Sequence, residues 1–406
     1  MEKKIIAKYH EFYRSQLLDN CIPFWMKSDL LDEQFGGYLT SVDREGHCYN
    51  SDKSCWFQGR GLWTFSALCN RYGKRDEWLR AAKLGKNFLE RYCVDADGRM
   101  FFTVTRDGRP LRKRRYIYSE SFYVIGMAEY AVAAADRDAL EKAEKCFEMM
   151  LRIYRDPSSD PYKITPKTYA STRAERAVAV PMVFVSSAQI LRRCDPEKSE
   201  YYTKIVREII SDILKYSYKP DMHCVLEDVS ADGSFIDNPA GRTVNPGHSI
   251  ENAWFMMCEA LYSNDRELFQ TCLNILDWSL ERGWDKEYGG VYYFTDVEGR
   301  PCEQLEYDMK LWWVHTEILI ATLMAYGITG NSKYEKWFET IHNYAFGHFQ
   351  DREFGEWYGY LHRDGTVSHM QKGSLWKGPF HYPRCLMLCE ELLGMLETGQ
   401  PITSIL

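Results

Sequence analysis

Lys286-Glu287-Tyr288-Gly289-Gly290-Val291-Tyr292 leads to Asp296-Val297-Glu298-Gly299, a short alternating strand running into an Asp/Gly turn. That is the pattern of a small β-hairpin. It recurs. Glu33-Gln34-Phe35-Gly36-Gly37-Tyr38 leads to Asp43-Arg44-Glu45-Gly46, and Asp97-Gly98-Arg99-Met100-Phe101 leads to Arg106-Asp107-Gly108. Cys224-Val225-Leu226-Glu227 leads to Ala231-Asp232-Gly233, and Glu353-Phe354-Gly355-Glu356-Trp357 leads to His362-Arg363-Asp364-Gly365. The spacing is about 60 residues, or twice that where one copy is missing near Asp160.

Helical patterns fill the gaps. An aromatic or apolar helix follows each hairpin, over 56–72, 118–134, 177–193, 249–263, 311–328 and 383–397. More charged, amphipathic helices follow over 76–93, 138–155, 197–217, 265–282 and 331–348, and 2–20 supplies the sixth. Six such pairs predict a closed ring: an all-α (α/α)6 barrel with short hairpins, forming one catalytic domain over 1–406. Because every hairpin precedes an inner helix, the hairpins and the inner-helix starts share one end. That end should hold the pocket.

Totals narrow the function. A net charge of −7 argues against a nucleic-acid binder, and Arg112-Lys113-Arg114-Arg115 reads as a solvated loop. No stretch approaches a membrane span, and the N-terminus lacks a secretory apolar run. The 13 cysteines never form C-x-x-C, which is the usage of a reduced compartment and points to the cytoplasm. The 28 Tyr, 20 Phe and 12 Trp suit both large cores and sugar-binding clefts.

The starts of the inner helices carry polar groups that buried helices should lack unless these are paired or functional. Trp56-Phe57-Gln58-Gly59-Arg60 opens the first, Tyr118-Ser119-Glu120 the second, and Asn245-Pro246-Gly247-His248-Ser249-Ile250-Glu251 the fourth. Trp312-Trp313-Val314-His315-Thr316-Glu317 opens the fifth, and His381 with Pro383 and Arg384 the last. His248 at a helix N-terminus is expected to be neutral, with Glu251 one turn later in reach to orient its ring. His315 points to a different face and reads as packing. The other histidines fall on outer helices or hairpins.

Two histidines, carboxylates and arginines suit proton transfer next to a carbonyl, with an imidazole on each face of a planar intermediate and a guanidinium for the oxyanion. Trp56 and Trp313 can stack on a sugar ring. Glu251 with Glu317 or Glu120 would also serve a glycoside hydrolase. No H-E-x-x-H, P-loop, G-x-G-x-x-G after a strand or nucleophile elbow occurs, so no metal site is expected.

The run from Asn245 to Phe255 closely resembles the N-acylglucosamine 2-epimerase family, also called renin-binding proteins. So do Trp56 to Arg60, Tyr307-Asp308-Met309-Lys310-Leu311-Trp312-Trp313 with Glu317, and Phe380-His381-Tyr382-Pro383-Arg384-Cys385-Leu386. Gly289 to Phe294 and Glu356 to Leu361 match as well. The family fold is the (α/α)6 barrel. The resemblance implies interconversion of N-acetylglucosamine and N-acetylmannosamine through ring opening and a C2 enediolate. It implies His248 and His381 as the two proton-transfer groups, with Arg60, Glu251 and Glu317 assisting. Trp56, Tyr118, Glu120, Trp313 and Arg384 are the expected substrate contacts. No cofactor is implied. ATP is an allosteric effector in some relatives, although this sequence has no phosphate loop, and a homodimer is the family's assembly. Gly373 to Pro379 and Tyr169 to Arg176 depart from the family pattern, and both border the expected pocket. Alternatives are an aldose–ketose isomerase, a 2-epimerase of unmodified sugars or disaccharides, a hydrolase on the same barrel, and a non-catalytic binding protein.

Overall fold

The computed structural model describes residues 1–113, 117–161 and 168–406. In chain order its barrel helices are α1 (Lys3–Ser15), α2 (Cys55–Tyr72), α3 (Asp76–Phe88), α4 (Tyr118–Ala134), α5 (Arg137–Arg155) and α6 (Ala179–Cys194). There follow α7 (Ser199–Tyr216), α8 (Pro246–Ser263), α9 (Arg266–Gly283), α10 (Trp312–Thr329), α11 (Ser332–His348) and α12 (His381–Thr398). The even-numbered helices form the inner ring and the odd-numbered ones the outer, with α1 packed on α12 as the sixth outer member. The expected (α/α)6 barrel is the observed fold.

Local sequence explains the two classes. On α5 the buried residues Ala139, Leu140, Ala143, Phe147, Met150 and Leu151 recur every three or four positions, a single apolar stripe. On α10 every residue from Trp312 to Ala325 is buried, as an inner helix walled by neighbours on all sides requires. Three inner helices start elsewhere than expected. The third begins at Ala179 because Glu175–Ala177 is a strand, and the fourth at Pro246 because Asn245 caps the amide of His248. The last begins at His381, which places that histidine in the first turn. Arg114 and Arg115 of the basic run lie outside the described residues.

The ring closes between α12 and α2 through side chains: Tyr72 donates to Glu390 at 3.0 Å, Trp63 meets Phe380 edge-on at 5.3 Å, and Arg71 pairs with Glu391. No described helix is long and apolar enough to cross a membrane.

The hairpins step round the rim. Thr103–Val104 pairs with Lys53–Ser54, Asp228–Ser230 with Glu175–Ala177, Thr295–Asp296 with Thr243–Val244, and Tyr360–Leu361 with Lys310–Leu311. Each hairpin thus pairs with the lead-in to the previous inner helix. Ion triads lock the first and last of these steps and the junction of the last repeat with the first hairpin. Asp32 takes Lys53 at 2.8 Å and Arg106 at 2.9 Å, while Asp285 takes Lys310 at 3.0 Å and Arg363 at 2.9 Å. Asp351 takes Lys372 at 3.1 Å and Arg44 at 2.8 Å. In each triad the second carboxylate oxygen also receives amides of its own turn, such as Glu353 and Phe354 for Asp351. Burial opposes ionisation of Asp32, but Arg106 and Lys53 hold its carboxyl down at about 2. Burial drives the Lys310 and Lys372 ammoniums down to about 8.

Breaking a buried pair leaves an uncompensated charge and costs about 3–5 kcal/mol, whereas an exposed pair contributes about 1 kcal/mol or less. Asp351→Asn should therefore lose most of that amount in urea unfolding. Glu353→Gln, which removes a more exposed carboxylate on the same Arg44, should change stability by a small fraction of it.

Candidate active site

Glycine lets α8 approach its neighbour. A Cβ on Gly247 would lie 2.6 Å from the Trp313 ring, so the turn before His248 seats directly against that indole. The His248 ring lies 5.2 Å from Trp313, centroid to centroid, and His381 lies 5.9 Å from the same indole. Trp313 thus joins the two imidazoles.

His248 Nδ1 is 3.0 Å from both oxygens of Glu227, at the base of the fourth hairpin. Glu251 does not orient this ring, although it lies one helical turn away. Its carboxylate turns to Arg384 Nη2 at 2.7 Å. The charges around His248 also run against the expectation of a neutral ring. Burial lowers its basicity, but Glu227, Glu251 and Asp228 outweigh burial and raise its pKa above the usual value. Glu227 went unnoticed in the sequence; its only signal is a charge closing the apolar run Cys224-Val225-Leu226.

His381 Nδ1 is 2.9 Å from Glu317 Oε1, and its Nε2 is 3.5 Å from Arg60 Nη2. Arg384 Nη2 also lies 3.4 Å from Nδ1, but the much closer Glu317 carboxylate, which only accepts, assigns the proton to Nδ1 and leaves Nε2 bare toward Arg60. Burial, with Arg60 and Arg384 nearby, holds His381 well below the ordinary histidine pKa. Glu317 is fully buried and well matched. Its Oε1 also accepts from Arg384 Nη2 at 2.7 Å, and its Oε2 from Trp254 Nε1 at 2.9 Å. Burial works against the Arg384 cation, but Glu317 and Glu251 raise its pKa.

Among the described residues, Arg60 has no carboxylate at ion-pair distance. Its Nη1 donates to the Trp376 carbonyl at 2.8 Å, its guanidinium lies over Phe122 at 4.2 Å, and its buried Nε has no partner among the described residues. Burial and Arg384 push its pKa down to about 9 against the pull of Glu251. Ligand atoms of Glu251, Glu317 and His381 lie within 4.8 Å of one another, a spacing that could hold a metal ion. Arg384 already donates to both carboxylates there, so the positive charge in that cluster is the guanidinium.

Among the expected substrate contacts, Trp56 and Tyr118 meet edge-on at 5.3 Å beside Arg60. Glu120 is not brought to the others. Fully buried, it binds Arg99 Nε at 2.7 Å and the Met100 amide at 2.9 Å, and Arg99 ties it to Asp160. A buried arginine claimed it for structure. His315 is a packing residue as expected, between Leu311 O at 2.8 Å and the Val291 amide at 3.1 Å.

The family model for N-acylglucosamine 2-epimerase (GlcNAc 2-epimerase) matches residues 37–381. The N-acylglucosamine 2-epimerase of Mus musculus is 37% identical over 389 residues, covering 94% of this chain and 91% of that protein. The structure of cellobiose 2-epimerase from Bacillus thermoamylovorans superposes with a TM-score of 0.82 at 23% identity, covering 95% of this chain and 99% of that one. A D-mannose isomerase structure superposes with a TM-score of 0.80 at 16% identity, covering 95% and 98%. The match across nearly the whole length, on an (α/α)6 barrel with these groups at its rim, means that the chain belongs to the N-acylglucosamine 2-epimerase family of sugar 2-epimerases.

Proposed function

We propose that the protein interconverts N-acetylglucosamine and N-acetylmannosamine, without a cofactor. The observation that carries the mechanism is the pair of imidazoles beside Trp313, one with its Nε2 facing Arg60 and one made more basic by Glu227. After ring opening, the bare nitrogen of one histidine removes the C2 proton, and the imidazolium of the other returns a proton to the opposite face. The C2 proton is only weakly acidic, so charge developing on O1 must be matched. Arg60, unpaired and directed at His381, is the group for that task. Trp313 supplies an apolar face for the sugar chain. Glu251, Glu317 and Arg384 keep the His381 ring fixed in one tautomer. The choice of sugar rests on the curated relatives named for it.

A hydrolase would need two carboxylates flanking a gap that the glycosidic bond fills. Glu251 and Glu317 instead both turn to one nitrogen of Arg384. The geometry favours epimerisation.

In D2O the protein should convert N-acetylmannosamine to N-acetylglucosamine with deuterium at C2, followed by proton NMR. A ketose product would indicate an isomerase instead, and cleavage of a glycoside without C2 exchange would rule out both. His248→Asn and His381→Asn should each lower kcat by about 10²–10⁴-fold, the usual worth of a positioned acid or base, with helical circular dichroism unchanged.

Glu227→Gln removes the carboxylate that raises the His248 pKa, so the imidazole should titrate at lower pH by NMR. In the direction where His248 donates, activity falls as pH rises through its pKa, and that alkaline limb should move to lower pH. In the reverse direction His248 must be bare, and the acidic limb should move the same way.

A further inference from the structure

Arg60 reaches its working position with no carboxylate at ion-pair distance among the described residues. Its guanidinium packs over the Phe122 ring and is hydrogen-bonded to one main-chain oxygen, that of Trp376. The question is what holds Trp376. The segment from Ser374 to Lys377 is a tight turn in which the Ser374 amide donates to Lys377 O at 2.9 Å and the Lys377 amide to Ser374 Oγ at 3.1 Å. The next side chain leaves that turn inward. Lys377 is 1% exposed, and its ammonium donates to Glu356 Oε1 at 2.8 Å and Lys372 O at 3.1 Å. Gly359 makes room for it: a Cβ there would lie 2.7 Å from Lys377 Cδ.

Glu356 itself is out of place by the rules of the rim. It has φ 59°, left-handed, where the equivalent residues of two other repeats are Gly37 at 71° and Gly290 at 72°. A side chain in that conformation costs about 1–2 kcal/mol. The turn closes with glycine in those repeats, each with its own Asp–Lys–Arg triad, so ring closure does not require a carboxylate here. The carboxylate has other partners: Trp25 Nε1 at 2.9 Å and Cys21 Sγ at 2.9 Å fix its Oε2, leaving Oε1 to Lys377. Strain retained at one repeat, next to the site, marks a functional demand.

We propose that Lys377, gripped by Glu356, is a positioning residue for the reaction: it anchors the turn whose Trp376 carbonyl aims the Arg60 guanidinium at His381 and at the developing oxyanion. The inference rests on the epimerase reading for the role of Arg60, but the coupling from Lys377 to Arg60 can be measured without any substrate.

Lys377→Met keeps the stem and removes the ammonium. In 15N-labelled protein the Arg60 Nε–H resonance, assigned by its absence in Arg60→Lys, should shift or broaden in Lys377→Met and in Glu356→Gln, and return toward its place in Lys377→Arg. On N-acetylmannosamine, kcat should fall by about 10²-fold with KM little changed, the worth of one misdirected oxyanion donor. Arg60→Met with Lys377→Met should be no slower than Arg60→Met alone, because both act through one group. An unmoved Arg60 resonance overturns the proposal whatever the enzyme's substrate. So does a moved resonance with unchanged kcat, or losses that multiply in the double variant. If Lys377→Met does not fold, Glu356→Gln carries the same comparison. Wild-type protein without C2 exchange would instead count against the epimerase reading, and the resonance would still decide the coupling.

Discussion

A carboxylate removed from water at the rim has to be matched by cations from two directions, and the barrel is organised by that requirement. Asp351 shows why. Its lysine, Lys372, comes from the same repeat, but its arginine, Arg44, lies 307 residues away in the first hairpin. Inner helices in a ring bury apolar surface without preference for register or closure. The triads supply that preference: each arginine can reach only the aspartate of the adjacent repeat, so satisfying all three sets the angular step and joins the two ends of the chain. Lys310 and Lys372 are almost completely buried, and their depressed basicity measures the desolvation that the aspartates offset.

This locates the site as well. The loop that begins with Lys372 continues through Trp376 to His381, so the point where the ring is stapled shut is also where the last inner helix delivers its histidine. Arg60 comes from the first inner helix and His381 from the last, 321 residues apart, and their approach to 3.5 Å exists only in the closed ring. Closure and chemistry are one geometric event.

The helix pairs were legible because apolar period and charge survive in any local window, and α1 was legible as the missing sixth partner because every other repeat had one. Trp56, Arg60, His248, Trp313, Glu317, His381 and Arg384 were legible because a polar group at the start of a buried helix needs a reason. Their partners were not. Spacing places Glu251 and His248 on one helical face, yet the Glu251 carboxylate turns to Arg384, 133 residues distant, because a buried cation outweighs a neighbouring imidazole. Glu120 went to Arg99 for the same reason. Glu227, the partner His248 does have, stands between the short strands Cys224–Val225 and Asp228–Ser230, whose relation to α8 is set by tertiary pairing. Local pattern identifies which side chains are inward; long-range charge decides whom they face.

That distinction explains how two histidines with the same contact differ. Both present Nδ1 to a carboxylate at about hydrogen-bond distance, 3.0 Å for His248 and 2.9 Å for His381. Glu317 also serves Arg384 and the Trp254 indole, so much of its negative charge is already matched before His381 draws on it. Glu227 meets no lysine or arginine among the described residues, so its charge acts chiefly on the His248 ring. Arg60 then adds a positive charge on the far side of His381 alone. The proposed reaction, which takes a proton on one face of C2 and returns one on the other, needs its two bases unlike each other at the start. Identical imidazoles meet that need through the partners of their partners.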